Sequence, residues 1–173
     1  MASNNSSDYA LFPQSLIPSS LSSSLPEGYT LRPLHRSDYS RGFLTCLTDL
    51  TWIGEITESA FCERFDWMVT KGKDWYYCLV IDDGSRIVAT ATMIVERKFI
   101  HDFTMVAHVE EVCVAASHQG KGLGLTVIQA LNAVAKDLGV GKLILNCSEK
   151  NIKFYEKCGY STAGQQMELK YNN

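Results

Sequence analysis

Gln119-Gly120-Lys121-Gly122-Leu123-Gly124 is the stretch on which the reading of this chain turns. Before it, Val106 to Ala115 is rich in β-branched residues and predicts a strand. After it, Leu123, Val127, Leu131, Val134 and Leu138 recur at helical spacing, and Gly139 and Gly141 close the predicted helix. Glycines at a helix start let backbone N–H groups come close to a ligand, and the helix dipole favours an anion there, so a pyrophosphate fits. A Walker A loop fails on two counts: Lys121 is followed by Gly122, and Ala115 stands where the first glycine belongs. A dinucleotide fingerprint counted from Gly120 puts Leu125 at its third glycine.

Outward from this segment the pattern is mixed. Tyr29 to Pro33 predicts a strand, followed by a helix from Ser37 carrying Tyr39, Phe43, Cys46 and Leu47 on one face. Thr57 reads as the cap of a second helix with Phe61, Phe65, Met68 and Val69 at spacings of three and four, and Thr48 to Thr57 as the loop between the two. Trp75 to Ile81 and Arg86 to Arg97 flank an Asp-Gly turn and predict a hairpin. Lys142 to Cys147 reads as a short buried strand, Asn151 to Lys157 as a short helix and Tyr160 to Tyr171 as a last strand. The order β, α, α, β, β, β, α, β, α, β is an α+β arrangement rather than a regular doubly wound one.

The 173 residues, 46% hydrophobic and 20% charged, suffice for one compact domain. A net charge of -3 offers no basic field for nucleic acid. The six cysteines contain no Cys-x-x-Cys pair, so no metal site is expected. With no run long enough to span a bilayer and no basic signal-like start, a cytoplasmic protein is expected. Residues 1–28 open with nine serines among the first 25 residues, with apolar residues at no clean period, and read as a largely flexible tail with at most one docked segment.

Gln119, Gly122 and Gly124 meet the pattern Gln/Arg-x-x-Gly-x-Gly/Ala and resemble the acetyl-CoA loop of the GNAT acetyltransferases. The runs Glu96 to His101, His108 to Val112 and Glu149 to Tyr160 narrow the resemblance to the glucosamine-6-phosphate N-acetyltransferase family, over about Tyr29 to Lys170. The resemblance implies a GNAT domain over 29–173, with a mostly antiparallel sheet, a splayed strand, flanking helices and a last strand exchanged in a homodimer with shared active sites. It implies acetyl-CoA as cosubstrate and glucosamine 6-phosphate as acceptor. The cosubstrate would be held by Val112, Cys113, Val114, Gln119, Gly120, Lys121, Gly122, Leu123, Gly124, Asn151 and Tyr155.

The resemblance also assigns chemistry. A carboxylate must take a proton from the attacking amine, and Glu110 and Glu111 are the candidates; on a regular strand only one faces the substrate, expected to be Glu111, unless a bulge intervenes. Tyr155 would donate to the leaving thiolate. Asn146 stands where the family pattern has an acid, and an amide binds but accepts no proton. The phosphate would meet His108, Lys150 and Lys153, with Arg97 and Lys98 behind them, and Thr57 would border the acceptor with Trp52 and Gly54. A GNAT enzyme for another small amine or a peptide, or a CoA-binding homologue without turnover, are the alternatives.

Overall fold

The computed structural model describes residues 8–171. Five strands form one sheet in the order β1 (Thr30–Pro33), β2 (Tyr76–Asp82), β3 (Ile87–Arg97), β4 (Met105–Val114) and β5 (Lys142–Ile144). The first four pair antiparallel, and β5 joins β4 in parallel. β2 and the first seven residues of β3 are buried almost without interruption rather than alternately, because helices cover both faces.

On one face lies α5 (Leu123–Asp137), which buries Leu123, Val127, Ile128, Leu131 and Val134 against β2, β3 and β4. On the other, α2 (Phe43–Leu47) packs on β3 and β4. α3 (Glu58–Val69) starts as expected at Thr57, whose hydroxyl oxygen accepts from Ala60 N at 3.2 Å. The helix expected from Ser37 is instead a 3-10 turn, Arg36–Tyr39, separated from α2 by Gly42 in the left-handed region at φ 79. Between β3 and β4, α4 (Ile100–Phe103) is a tight turn with left-handed backbone at His101, Asp102 and Phe103.

Three expectations are corrected. Lys142 to Cys147 pairs only as far as Ile144, because β5 then leaves β4. Tyr160 to Tyr171 forms no strand: it meets no sheet edge of its own chain, and Met167, Leu169 and Tyr171 stay exposed. The serine-rich segment is docked over much of its described length. Leu11, Phe12 and Ile17 join the core, α1 (Ser19–Ser22) contacts α5, and Ala10 bridges His35. The apolar residues of this segment follow no period because they wrap around the sheet end instead of forming one element. Residues 1–7 of the expected tail lie outside the described residues.

Phe12 meets Tyr77 with ring centroids 5.2 Å apart. Phe12→Ala should therefore lower stability by about 3 kcal/mol, read from urea denaturation. An unchanged midpoint would mean that the segment is not docked in solution.

Candidate active site

The site grows from the place where β4 loses a neighbour. β4 and β5 pair only through Val106↔Lys142, Ala107↔Leu143 and His108↔Ile144, so β4 continues to Val114 without β5 beside it. Its other edge stays on β3, interrupted by a bulge: Thr92 faces Glu110, Thr90 faces Cys113, and the register shifts between them. Glu111 takes the extra length with φ 53, an unusual angle for a side-chain-bearing residue. The bulge that would relax strict alternation is thus present. Glu111 accepts from Thr92 Oγ1 at 3.0 Å, and both line a cavity of about 760 Å³. Leu47, Trp52, Ile53, Phe61 and Arg64 form its other walls, with Trp52 exposed at the rim. Glu110 is exposed and lies close enough to Tyr155 to act on its charge.

Beyond β4 the chain makes a 3-10 turn, Ala116–His118, and enters the glycine segment. Gln119 turns back to donate to Val114 O at 3.2 Å. Gly120 and Gly122 are left-handed, at φ 78 and 80, and a Cβ at either would meet no atom within 4 Å, so the backbone stands open there. Gly122 caps α5 without a side-chain bond, which leaves the first-turn N–H groups free for an anion. At Gly124 the requirement is different: a Cβ would come within 3.3 Å of Phe154 and 3.4 Å of Val114. Its absence leaves room for Phe154 of α6 (Ile152–Lys157) beside the start of α5, with Tyr155 next along the helix.

Tyr155 is half-buried, its ring edge-on to Phe154 at 5.0 Å and to Tyr160 at 6.0 Å. Burial, reinforced by Cys147, Cys158 and Glu110, pushes its phenol above the ordinary tyrosine value, so it is a proton donor at neutral pH. Asn146 and Cys147 are exposed just past β5, and Asn151 precedes α6 without a side-chain cap. Cys113 is buried on β4, its thiol donating to Cys46 O at 3.1 Å, away from the role of a free nucleophile.

The cationic candidates are dispersed. His108 lies 3.5 Å from Glu96, whose other oxygen is 2.5 Å from Lys98 Nζ; the Lys98 hydrogen bond holds that carboxyl below its ordinary value. Lys150 and Lys153 are exposed and make no ion pair among the described residues. Thr57 is spent on its helix cap and does not line the cavity. Sequence reasoning missed Thr92, whose signal was a hydroxyl inside a buried run, and Asp49, which accepts from Ala116 N at 2.7 Å and ties the 48–57 loop to the glycine turn. Among the described residues no cluster of His, Cys, Asp or Glu is arranged to hold a metal, and no helix is long and apolar enough to cross a membrane.

The Acetyltransferase (GNAT) family model matches residues 31–160. The chain is 37% identical to a glucosamine 6-phosphate N-acetyltransferase of Candida albicans, over 85% of this chain and 99% of that one. It is 41% identical to glucosamine 6-phosphate N-acetyltransferase 1 of Oryza sativa, over 83% and 87%. The crystal structure of glucosamine-6-phosphate N-acetyltransferase from Arabidopsis thaliana superposes with a TM-score of 0.80 at 35% identity, covering 84% of this chain and all of that one. This chain belongs to the glucosamine 6-phosphate N-acetyltransferase family.

For a member of the glucosamine 6-phosphate N-acetyltransferase family, the thiols here have a plain distribution. Cys147 is exposed beside Asn146, Cys62 is half-buried, and the other four are buried. Native protein treated with a disulfide reagent such as dithiobis(nitrobenzoate) should release one fast equivalent of chromophore per chain. Cys147→Ser should abolish that phase; its persistence would place a second reactive thiol at the surface.

Proposed function

We propose that this chain transfers the acetyl group of acetyl-CoA to the 2-amine of glucosamine 6-phosphate by direct attack within a ternary complex. The observation that carries the reading is the parting of β4 from β5 between the bulged glutamates and the uncapped start of α5. It leaves a free strand edge along which a pantetheine arm can lie, leading to a site for its pyrophosphate.

Acetyl-CoA supplies the acetyl group as an activated thioester. The N–H groups at the start of α5 bind the pyrophosphate, and the open backbone at Gly120 and Gly122 lets it approach. Unpaired N–H groups of β4 in the stretch Val112 to Val114 stabilise negative charge on the thioester oxygen as the amine attacks. Glu111, with Glu110 beside it, accepts the amine proton. The new N–C bond forms as the C–S bond breaks, and Tyr155 returns a proton to the sulfur. Holding both reactants on one strand edge supplies much of the rate. Asn146 hydrogen-bonds the sugar without taking a proton.

The acceptor lies in the cavity under the 48–57 loop, and its phosphate meets His108, Lys150 and Lys153. A homodimer would gather these dispersed cations across two chains. Supporting it is the strict alternation of Met167, Leu169 and Tyr171 along an exposed segment that has no strand partner in its own chain. Six free cysteines suit a cytoplasmic protein.

A thiol-release assay tests the reading. Glucosamine 6-phosphate should be turned over at least about tenfold more efficiently than glucosamine, the worth of one charge-assisted contact; equal rates would sink the phosphate assignment. Tyr155→Phe should lower kcat by about 100-fold with little change in substrate KM, whereas Asn146→Asp should raise kcat. Tight acetyl-CoA binding with no release toward any amine would instead favour a homologue without turnover.

A further inference from the structure

Among the described residues four polar or charged side chains are buried: Asp38, Asp82, Thr90 and Thr92. The two aspartates are consumed in ion pairs with Arg32 and Arg41, near the far end of β1 and β2. The two threonines stand two residues apart on β3, directly behind the bulge in β4, where valine would fill the same space without a hydroxyl to satisfy. Thr90 lies 3.6 Å from the Cys78 thiol, which burial pushes up to about 12 and so keeps neutral. Thr92 faces Cys78 on β2 and Glu110 on β4, yet its hydroxyl reaches past Glu110 to Oε2 of Glu111.

That reach exists because the bulge swings Glu111 out of the strand's alternation and onto the cavity wall that Thr92 also lines. Glutamate has three side-chain torsions to lose, and an exposed one samples many orientations. Threonine is the opposite: β-branched and 3% exposed, it has a fixed hydroxyl. The second oxygen of Glu111, Oε1, makes no hydrogen bond among the described residues.

We propose that Thr92 is a positioning residue for the acyl acceptor: its hydroxyl pins Oε2 of Glu111 so that Oε1 is presented to the amine in the cavity. The inference rests on Glu111 as the proton acceptor of the proposed reaction. Thr92 acts through the carboxylate, to which its hydroxyl is bonded.

The test is a cycle of Thr92→Val, Thr92→Ser, Glu111→Gln and the double variant Thr92→Val with Glu111→Gln, followed by CoA release with glucosamine 6-phosphate. Thr92→Val should lower kcat by about 20-fold, the worth of a hydrogen bond to a charged group. The KM for acetyl-CoA should stay within about twofold of the starting protein. Thr92→Ser should recover most of kcat, and Thr92→Val should cost no further rate once Glu111 is glutamine. Unchanged kcat in Thr92→Val, or a full additional loss in the double variant, overturns the proposal. A crystal structure of Thr92→Val gives a readout that needs no turnover: the Glu111 carboxylate should leave its place while Glu110 keeps its own, and an unmoved Glu111 carboxylate overturns it. If the unaltered protein releases no CoA with glucosamine 6-phosphate, the substrate assignment fails, and the crystal structure still decides the role of Thr92.

Discussion

A backbone N–H or C=O in the interior needs a partner, and the second half of β4 has partners on one side only. Most of this structure follows from that constraint. The edge facing β5 must look onto space that solvent or a ligand can fill, so β5 ends after three residues and the chain beyond it swings away. The same separation makes room for α6, whose Phe154 lies so near residue 124 that a Cβ there would crowd its ring at 3.3 Å. On the side still paired to β3, the strand absorbs an extra residue at Glu111, which costs about 1–2 kcal/mol of left-handed backbone. That cost is offset by the pairing restored at Cys113 and by the Ala115 N–Val88 O bond at 2.8 Å.

A second set of interactions determines what can move. The 48–57 loop is tied at its start, where Cys46 O accepts from the Cys113 thiol and Asp49 accepts from Ala116 N. Beyond it, α3 is anchored through Asp66, which accepts from Arg36 Nε at 2.9 Å, Arg36 Nη2 at 3.0 Å and the Tyr9 hydroxyl at 2.5 Å. Hydrogen bonds from Arg36 and then Tyr9 hold the Asp66 carboxyl below its ordinary value. Between these anchors Trp52 is 88% exposed and Gly54 is left-handed. The loop therefore combines fixed ends with an exposed middle.

Elements whose information is local were legible in the sequence. The Asp-Gly hairpin, the Thr57 cap and the apolar stripe of α5 each follow from a few adjacent side chains, and all three stand in the structure where those residues put them. The glycine segment reads in sequence as open backbone at a helix start, which Gly120 and Gly122 provide, while the close packing at Gly124 depends on Phe154, distant in sequence. What was hidden depends on partners distant in sequence. Nothing in Val109-Glu110-Glu111-Val112 announces a bulge, since a bulge is a relation between two strands. The alternation of Met167, Leu169 and Tyr171 reads as a strand, but a strand also needs a pairing partner, and this segment pairs with no strand of its own chain. The sequence allows a docked segment in the tail but does not locate it at Leu11, Phe12 and Ile17, because a segment wrapping around a sheet end has no period to detect. Thr92 escaped because a hydroxyl in an apolar run is visible, while its carboxylate partner 19 residues away is not.

The amide at Asn146 sharpens the division of labour in the proposed reaction. An acid at that position would add a third carboxylate near the amine and spread the burden of deprotonation. With an amide there, the proposal puts the proton-accepting groups on β4, at Glu110 and Glu111, and the donating group on α6, at Tyr155. Burial keeps that phenol protonated, while the two glutamates are exposed. The acid and the base thus stand on different elements with the free edge of β4 between them. Their separation is preserved by packing rather than by any direct bond. Gly124 leaves room for Phe154 of α6 and the bulge sets where Glu111 points, so in the proposed reaction two backbone features with no reactive group of their own hold the spacing between proton acceptor and proton donor.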